Sequence, residues 1–208
     1  MPDWIPRPAT DKGRATRERI VRAAADLMYA RGVSTTSLDD IRAAAGVSGS
    51  QVTHYFGNRR ELIREVIAAR QRETLAFHAA DRFDGFTNFR AFEVWAHACV
   101  ETFKRTSTVG GCVYGSLVGE LVFNADEALC SEIADGYDGW LTILQLGFSA
   151  MRDRGQLRAD ADPRHLAAVL VCAHQGSAAV SQTLADTTPA HVALGAAVAY
   201  VRSFSSGS

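Results

Sequence analysis

Residues 36–62, TSLDDIRAAAGVSGSQVTHYFGNRREL, contain two short segments of helical character on either side of the turn Gly46-Val47-Ser48. Ser37 is a good N-cap for a helix over Leu38–Ala45, because its hydroxyl can accept from a free backbone N–H of the first turn. Asp40 follows three residues later, where its carboxylate can complete a capping box. This half of the stretch therefore predicts a short helix with a well-defined start.

The other half predicts a second helix with a polar outer face. Gly46 ends the first helix, since the sharp turn requires a residue that tolerates positive φ, and Ser48 caps the next. Val52 and Phe56 lie four residues apart and point inward. The outward side chains are all neutral and able to form hydrogen bonds: Ser50, Gln51, Thr53, His54 and Tyr55. A helix of this width fits the DNA major groove, where Gln, Ser and Thr contact base edges and phosphates. The alternative is a helical hairpin that only packs.

A third helix begins directly after this pair. Asn58 is its predicted N-cap and Glu61 completes a capping box. Arg59 and Arg60 lie in the first turn, where a cation opposes the positive end of the helix dipole. Phosphate is the simplest partner for these two cations; the alternative is that both are solvated surface arginines.

The basic charge of the chain is concentrated at its N-terminal end. Residues 1–60 hold ten Lys plus Arg against six Asp plus Glu, whereas the remainder holds twelve against seventeen. A helix predicted over Thr16–Ala30 has an apolar stripe of Ile20, Ala24, Leu27 and Met28. Its lead-in and polar flank carry Lys12, Arg14, Arg17, Arg19 and Arg22. A local basic region on an acidic body is typical of a protein that meets phosphate only there.

The composition predicts no membrane, metal or cofactor chemistry. No stretch reaches the roughly 18 uninterrupted apolar residues of a membrane span, and the N-terminus lacks the apolar core of a signal peptide, so a cytoplasmic protein is expected. The four cysteines, at positions 99, 112, 130 and 172, show no metal-ligand spacing. We therefore expect neither a metal site nor a disulfide framework.

The rest of the chain predicts an all-α protein, because no strand alternation is present. The expected organisation is a basic arm with a three-helix DNA-binding domain over residues 1–60 and a larger helical domain over 61–208, about nine helices in all. The predicted body helices cover Arg59 to His78, Phe89 to Lys104, Ser116 to Phe123, Asn124 or Asp126 to Arg154, Asp162-Pro163 to Leu184, and Pro189 to Phe204. Breaks are predicted at 81–88 and at the glycine-rich residues 108–111.

The last two helices are unusually poor in charge. Residues 166–183, LAAVLVCAHQGSAAVSQT, contain no charged residue, and 193–201, ALGAAVAYV, are apolar and small. Helices that are apolar all round must be covered on more than one face. An isologous dimer through a four-helix bundle is the predicted solution; the alternative is two helices fully buried in a monomer.

At this point the chain resembles TetR-type (tetracycline-repressor-like) bacterial transcriptional regulators. The matching motifs are Arg31-Gly32-Val33, TSLDDI, AAAGVS and HYFGNRREL, within about Thr16 to Val66. The resemblance implies a homodimeric repressor that a small-molecule inducer releases from a palindromic DNA operator. The implied DNA-binding residues are Thr36, Ser37, Ser48, Gly49, Ser50, Gln51, Thr53, His54, Tyr55, Asn58, Arg59 and Arg60. Among them, Gln51, Thr53 and His54 are base-reading candidates, and Tyr55 and Arg60 are expected on the DNA backbone.

Two positions depart from the family pattern. Arg42 replaces a small residue near the helix crossing, so its side chain must lie along the surface or reach phosphate. Thr53 replaces an aromatic and shortens the reach of the reading helix. The motifs therefore predict how the helix pair docks on DNA, but they do not specify which bases it contacts.

The resemblance also implies a ligand pocket in the larger domain, and an apolar or aromatic inducer is expected. The candidates, from separate predicted helices, are Phe92, Trp95, Cys99, Cys112, Tyr114, Tyr137, Trp140, Phe148 and His174. Each of them alone is more often a core residue. His174 is notable because a polar group within a charge-free helix needs a partner.

Two other hypotheses concern Cys112. A lowered pKa of its thiol at the start of a helix would suit a redox or electrophile sensor, although no cation flanks it. A catalytic set of Cys112, His174 and Glu120 is a remote alternative without a local signature; no catalytic residue is therefore predicted. A structural or protein-interaction helical bundle is the other remote alternative, which the basic N-terminal region disfavours. The expected lever between inducer and DNA is the helix that begins at Arg59.

Overall fold

In the computed structural model, which describes residues 10–106, 111–122 and 127–207, all regular secondary structure is helical. Nine α-helices are present, with one 3₁₀ segment, Asp81–Phe86, between the fourth and fifth. They are α1 (Asp11–Arg31), α2 (Leu38–Ala45), α3 (Gly49–Phe56), α4 (Arg59–His78), α5 (Phe89–Thr106), α6 (Val113–Leu121), α7 (Glu127–Asp153), α8 (Pro163–Leu184) and α9 (Thr188–Arg202). The predicted all-α class is confirmed.

The predicted helix boundaries hold best where a capping residue marks them. The helices α2, α4 and α8 have the predicted bounds, and α8 begins at Pro163 after the Asp162 N-cap. The first helix begins earlier than predicted, because the Thr10 hydroxyl accepts from the Gly13 N–H. The short helix α6 also begins earlier, after an N-cap at Cys112.

Several predicted boundaries lie outside the described residues. These are the glycine-rich break at 108–110, Phe123 at the predicted end of α6, and Asn124 and Asp126 at the predicted start of α7. The last helix ends at Arg202, slightly before Phe204, and a single bridge pairs Leu157 with Ser205 beside it.

The buried residues form two main cores. One lies within α1–α4, which we call the head, and includes Ile20, Ile41, Val52 and Phe56. Leu117 of α6 is also buried in this core. The larger core joins the 3₁₀ segment with α5, α7, α8 and α9, which with α6 form the body. The head therefore packs directly on a body helix rather than on a linker.

Gly147 allows the 3₁₀ segment to lie against α7. A Cβ atom at this position would be 2.5 Å from the Cβ of Phe86 and 2.7 Å from its carbonyl oxygen. Such contacts are too short for any side chain, so only glycine permits this approach. The segment turns the chain from the end of α4 into α5 and brings those two helices to the same part of the body.

The helices α8 and α9 bury one side and expose the other. Leu166, Leu170 and Leu194 are fully buried, whereas Leu184 and Val192 are 61% and 63% exposed. The alternative of two helices fully buried in a monomer is therefore wrong. Within the described ranges, none of the helices has the length and apolar character to cross a bilayer.

Candidate functional site

The helix-turn-helix is defined by two capping boxes and a glycine turn. The hydroxyl of Ser37 accepts from the Asp40 N–H at 3.1 Å, and the Asp40 carboxylate accepts from the Ser37 N–H at 2.9 Å. Ser48 and Gln51 form the equivalent pair at the start of α3, at 3.2 and 2.9 Å. Between them, Gly46 has φ 62° and ψ 44°, the left-handed region that favours glycine. Local sequence therefore specifies both helix starts and the turn.

The outer face of α3 has the neutral polar character that the sequence predicts. Gly49, Ser50, Gln51, Thr53 and His54 are exposed, and Tyr55 is half-buried. The side-chain oxygen of Gln51 is used in the capping box, which leaves its amide N–H groups for other partners. The Ser50 hydroxyl lies 2.9 Å from that of Ser48. These local bonds hold the α3 side chains in a defined arrangement.

Two predicted DNA contacts have internal roles that the sequence did not reveal. The side chain of Thr36 is only 1% exposed, and its hydroxyl donates to the Gly32 carbonyl at 2.7 Å. The guanidinium of Arg59 donates to the carbonyl oxygens of Thr36 and Val33. In this arrangement both side chains brace the connection between α1 and α2. Only the tertiary fold brings Arg59 to carbonyls more than twenty residues earlier.

The remaining predicted head residues lie at the surface. Asn58 caps α4 by accepting from the Glu61 N–H at 3.0 Å, and Arg60 is exposed. Arg42 lies along the surface with its Nε 3.1 Å from the Asp39 carboxylate, as its bulk requires. The Thr53 hydroxyl donates to the Gly49 carbonyl at 3.2 Å, which further limits its reach.

Part of the basic charge of the head holds its own helices together. Arg17 forms an ion pair with Glu65 at 2.6 Å, which ties α1 to α4. Arg19 donates to the carbonyl of Ala45 at 2.8 Å, at the end of α2. The exposed cations among the described residues of the head up to Arg60 are Lys12, Arg14, Arg19, Arg22, Arg31, Arg42 and Arg60.

A cavity of about 200 Å³ lies between the C-terminal parts of α4 and α5, the start of α6 and the middle of α8. It is lined by Glu73, Thr74, Phe77 and His78 of α4, Thr102 and Phe103 of α5, Gly111, Cys112 and Val113 at the start of α6, and His174 of α8. The walls are thus largely apolar, with a few polar groups.

Two histidines and two tryptophans form a compact cluster beside this cavity. The Trp95 indole N–H donates to Nδ1 of His78 at 2.8 Å. The His78 ring stacks on Trp140 with centroids 4.1 Å apart and lies 5.9 Å from the His174 ring. Among the described residues, neither Nδ1 of His174 nor the Trp140 indole N–H has a hydrogen-bond partner.

Both histidines are uncharged near neutral pH. Burial lowers the pKa of His78 well below its ordinary value, and the nearby His174 and Arg82 lower it further. Burial alone lowers the pKa of His174 to about 3. Because an indole can only donate, the neutral His78 must carry its proton on Nε2. The cavity therefore contains neutral imidazoles, each with one donor and one acceptor nitrogen.

The structure separates the nine predicted pocket residues into groups. Cys112 and His174 line the cavity, and Trp95 and Trp140 lie directly behind it. Cys99 is buried. Phe92 and Phe148 stack on each other with centroids 4.4 Å apart and do not line the cavity as the described residues define it. Tyr114 and Tyr137 are paired with each other, away from the histidine cluster.

The sequence-based choice missed the α4 side of the cavity. Thr74 and His78 lie one helical turn apart on the buried face of α4, and Phe77 lies beside them. Phe103 of α5 also lines the cavity, and its ring is 5.0 Å from that of His174. A polar pair four residues apart on an otherwise apolar helix face was the signal that could have revealed this side.

The hypothesis of a lowered thiol pKa at Cys112 is wrong. Burial raises the pKa of this thiol, and hydrogen bonds from Gly115, Tyr114 and Gln175 offset that rise only in part. Its sulfur accepts from the Gly115 N–H at 3.4 Å and caps α6. The imagined catalytic set is not assembled either, because the Glu120 carboxylate binds at the opposite end of α6. Within the described residues there is no cluster of ligands for a metal ion.

Helix α6 connects the cavity with the head. At its start, the Tyr29 hydroxyl of α1 donates to the carbonyl of Gly111 at 2.9 Å. At its other end, the Glu120 carboxylate accepts from the backbone N–H groups of Val33 and Ser34, each at 2.6 Å. Burial opposes ionisation of Glu120, but these hydrogen bonds together with Arg59 lower its pKa. This carboxylate thus binds the connection that leads into α2.

Two family models match the chain over most of its length. Residues 20–66 match the family described as "Bacterial regulatory proteins, tetR family". Residues 90–197 match the "Tetracyclin repressor-like, C-terminal domain" family, and this second match alone covers more than half of the chain.

Curated relatives are similar over a short segment. The transcriptional regulator SrpR of Pseudomonas putida is 41% identical over 56 residues, 27% of this chain and 26% of SrpR. The uncharacterised regulator TtgW, also of Pseudomonas putida, is 37% identical over 60 residues, 29% of this chain and 45% of TtgW. The similarity thus spans less than half of either relative.

A solved structure extends the likeness to the whole fold. The regulatory protein TetR from Rhodobacter sphaeroides superposes with a TM-score of 0.79, covering 89% of this chain and 98% of that protein, at 19% identity. At this level of identity the superposition shows a shared fold for both the head and the body.

Proposed function

Because the chain belongs to the TetR family of bacterial regulatory proteins, we propose that it is a sequence-specific DNA-binding repressor of transcription that a small-molecule inducer releases from its operator. The observation that carries this proposal is the capped α2–α3 unit, which exposes a helix face of neutral hydrogen-bonding groups. Base edges are read by such groups, and surrounding cations hold the phosphates. Binding to chromosomal DNA would place the protein in the cytoplasm.

The proposed base contacts come from the exposed part of α3. His54 and the amide N–H groups of Gln51 are the best candidates, since both are exposed and able to donate. Arg60 and Tyr55 are proposed to contact the DNA backbone. The buried Thr36 and the internally bonded Arg59 support the surface instead.

We propose that two copies pair through the exposed sides of α8 and α9. These sides carry the apolar residues Val180, Leu184, Val192 and Tyr200. Burying them in a four-helix bundle is favourable because apolar surface leaves water. A two-fold dimer places two α3 helices one or two turns of DNA apart, about 34 Å per turn, and predicts a palindromic operator.

The inducer is proposed to act through both α4 and α6. The first of these begins in the head at Arg59 and ends at the cavity with His78. The second begins at the cavity and ends with Glu120 on the α1–α2 connection. A ligand shifts the head only if it binds two arrangements of these helices with different affinity.

The test is selection of duplex DNA from a random library by the purified protein, followed by titration against salt. A palindrome is expected, bound about a thousandfold more tightly than random DNA, with affinity that falls steeply as salt rises. A protein that binds no duplex more tightly than random DNA would contradict the proposal.

Dimerisation is tested with two matched substitutions. Val192→Glu places a charge on the proposed interface, whereas Leu146→Glu places one at a residue of nearly equal exposure, 63% against 64%, on α7. Sedimentation should show monomers for V192E and dimers for L146E, and only V192E should lose operator affinity, by at least about a hundredfold. Equal behaviour of the two variants would place the interface elsewhere.

A further inference from the structure

We propose that His78 and His174 anchor an uncharged ligand with a single aromatic ring that carries a hydroxyl or carbonyl group. The inference rests on the proposed function in one respect: it takes the cavity between α4, α5, α6 and α8 as the inducer site. It goes further by assigning the chemical class of the ligand, which follows from the volume, the wall chemistry and the charge of the cavity.

The volume sets the size of the ligand. A cavity of about 150 Å³ holds one benzene molecule in the well-studied example of an engineered protein cavity. The present cavity, at about 200 Å³, has room for one substituted ring.

The walls favour an aromatic ring. Phe77 and Phe103 line the cavity, and both pack against the histidines, with centroids 5.0 Å from His78 and 5.0 Å from His174 respectively. Aromatic groups stack or pack edge to face on such rings, and each pair adds a stabilising contact beyond burial of apolar area. A ligand ring would extend this aromatic cluster.

The charge of the cavity selects against anions. Both imidazoles are neutral because of burial, as their lowered pKa values indicate. Glu73 is the one charged residue among the described residues that line the cavity, and its carboxylate lies 2.8 Å from Arg70. The Arg82 guanidinium stacks over the Phe77 ring, 4.7 Å from its centroid, rather than lining the cavity. Among the described lining residues, a buried carboxylate would therefore find no cation, and it would lose its hydration.

The polar group expected on the ligand follows from the unpaired nitrogen of His174. Its side chain is only 5% exposed and it lines the cavity, and no described residue pairs with its Nδ1. Buried polar atoms are normally hydrogen-bonded, and an unpaired one carries a free-energy cost. Nδ1 is shielded from the cavity in this arrangement, so a ligand hydroxyl reaches it once the ring turns about its Cβ–Cγ bond, and the hydroxyl then satisfies it in either tautomer because it both donates and accepts. A carbonyl satisfies it when Nδ1 carries the proton.

The hydrogen bond from Trp95 determines which nitrogen of His78 can donate to a ligand. Because the indole N–H occupies Nδ1 of His78 at 2.8 Å, the remaining nitrogen Nε2 is a donor. A ligand oxygen near the two rings can therefore accept from His78 while its hydroxyl pairs with His174. An apolar ring lacking such an oxygen leaves these groups unpaired.

The experiment uses four probes of similar size: 4-ethylphenol, 4-ethylbenzaldehyde, ethylbenzene and 4-ethylbenzoate. Binding to the full-length wild-type protein is measured by isothermal titration calorimetry near pH 7. We expect the phenol and the aldehyde to bind more tightly than ethylbenzene, and the benzoate to bind at least about a hundredfold more weakly than the phenol.

The histidine anchor is tested with His174→Phe, which keeps a ring of similar shape and removes the polar atoms. The variant should bind 4-ethylphenol roughly 5- to 10-fold more weakly and ethylbenzene unchanged or more tightly. His97→Phe, at an exposed position of α5 that does not line this cavity, is the matched control and should behave as the wild type.

Three results would overturn the assignment. One is benzoate binding as tight as phenol binding, which the wild-type protein tests without any variant. Another is an H174F protein that keeps the wild-type preference for phenol over ethylbenzene. The third is a folded wild-type protein that binds neither neutral oxygen-bearing probe up to about 1 mM.

Operator binding is measured on the same samples without ligand, so that the two proposals fail separately. A protein that binds its palindrome but ignores the neutral probes refutes the ligand class alone. A protein that binds the phenol as expected but no DNA refutes the proposed repressor alone.

Discussion

The head and the cavity beside His78 and His174 are built by contacts of different range. In the head, the pairs that define α2 and α3 are three residues apart: Ser37 with Asp40, and Ser48 with Gln51. At the cavity, the Trp95 indole reaches across 17 positions to His78, and the Gln182 side chain accepts from the backbone N–H of the cavity-lining Gly111, 71 positions away. The first kind of contact is visible in a short window of sequence, and the second is not.

Local contacts therefore set the shape of the head, whereas long-range packing supplies most of its stability. Caps and turns give the head its local geometry, but each is worth only about 1 kcal/mol. The apolar core beneath them is formed by residues from four helices and from α6. Four comparisons between variants, in order of expected effect, test how far the contrast between local shape and long-range support holds.

The largest effect is expected for Phe56→Ala at the end of α3. This ring is 1% exposed and the Arg17 guanidinium lies over it, 5.3 Å from its centroid. Removing it leaves a cavity and should lower the free energy of unfolding by about 3–5 kcal/mol, as urea denaturation would measure. His54→Ala, exposed on the same helix, is the control and should change stability by less than about 0.5 kcal/mol. A loss near 1 kcal/mol for F56A would mean that the caps alone hold the head.

The next effect concerns the link between the two regions, through Glu120→Gln. The carboxylate accepts two charge-assisted hydrogen bonds from Val33 and Ser34, so its neutralisation should cost about 1–2 kcal/mol of stability at pH 7. Glu93→Gln removes an exposed ion pair with Arg202 and should cost less than about 0.5 kcal/mol. Operator affinity should fall for E120Q only, because α2 follows the connection that Glu120 holds.

The same variant predicts a pH dependence. The folded-state pKa of Glu120 lies below its ordinary value of 4.5. A carboxylate with a lowered pKa contributes stability that is fully present above its unfolded-state pKa and is lost as pH falls through the folded-state value. The stability difference between wild type and E120Q should therefore be constant from pH 7 to about 5 and shrink below pH 4.5. If the stability difference between wild type and E120Q instead grows as the pH falls, the charge-assisted hydrogen bonds assigned to Glu120 are contradicted.

A smaller effect compares one cap from each region. Ser48→Ala removes the cap of α3, and Asp162→Ala removes the cap of α8, whose carboxylate accepts from the Arg164 N–H at 2.8 Å. Each should cost about 1 kcal/mol in thermal or urea unfolding. Only S48A should weaken operator binding in a gel-shift titration. Equal loss of operator affinity in both would show that local order in the body is as important for DNA binding as order in α3.

The smallest effect is expected at the end of α8, which has the same backbone conformation as the end of α2. Both end in the left-handed region, at Gly46 with φ 62° and at Ala185 with φ 51°. Alanine is strained there, so Ala185→Gly should stabilise the protein by about 0.5 kcal/mol after the added chain entropy of glycine is subtracted. Ala179→Gly, inside α8, should instead destabilise it by up to about 1 kcal/mol. Calorimetric unfolding should show that A185G is more stable than the wild type and that A179G is less stable.

The features that the sequence predicted correctly depend on local contacts, and those that it missed depend on long-range contacts. The bounds of α2, α4 and α8 were predictable because Ser37, Asn58 and Asp162 are side chains that cap the helices beside them. The roles of Thr36 and Arg59 were not predictable, since one depends on burial and the other on carbonyls brought close by folding. In the cavity, His174 was identified as a polar residue in need of a partner, but the proximity of His78 was not.

The sequence by itself determined the helical class, the capped starts of α2, α3, α4 and α8, the glycine turn and the polar face of α3. These features depend on interactions between residues at most four positions apart, whose geometry the helix fixes. Only the tertiary structure decided which arginine braces the head, that Glu120 joins α6 to the α1–α2 connection, and that two neutral histidines meet at one cavity. These depend on the packing of distant segments, and burial then sets the charge state of the groups that packing brings together.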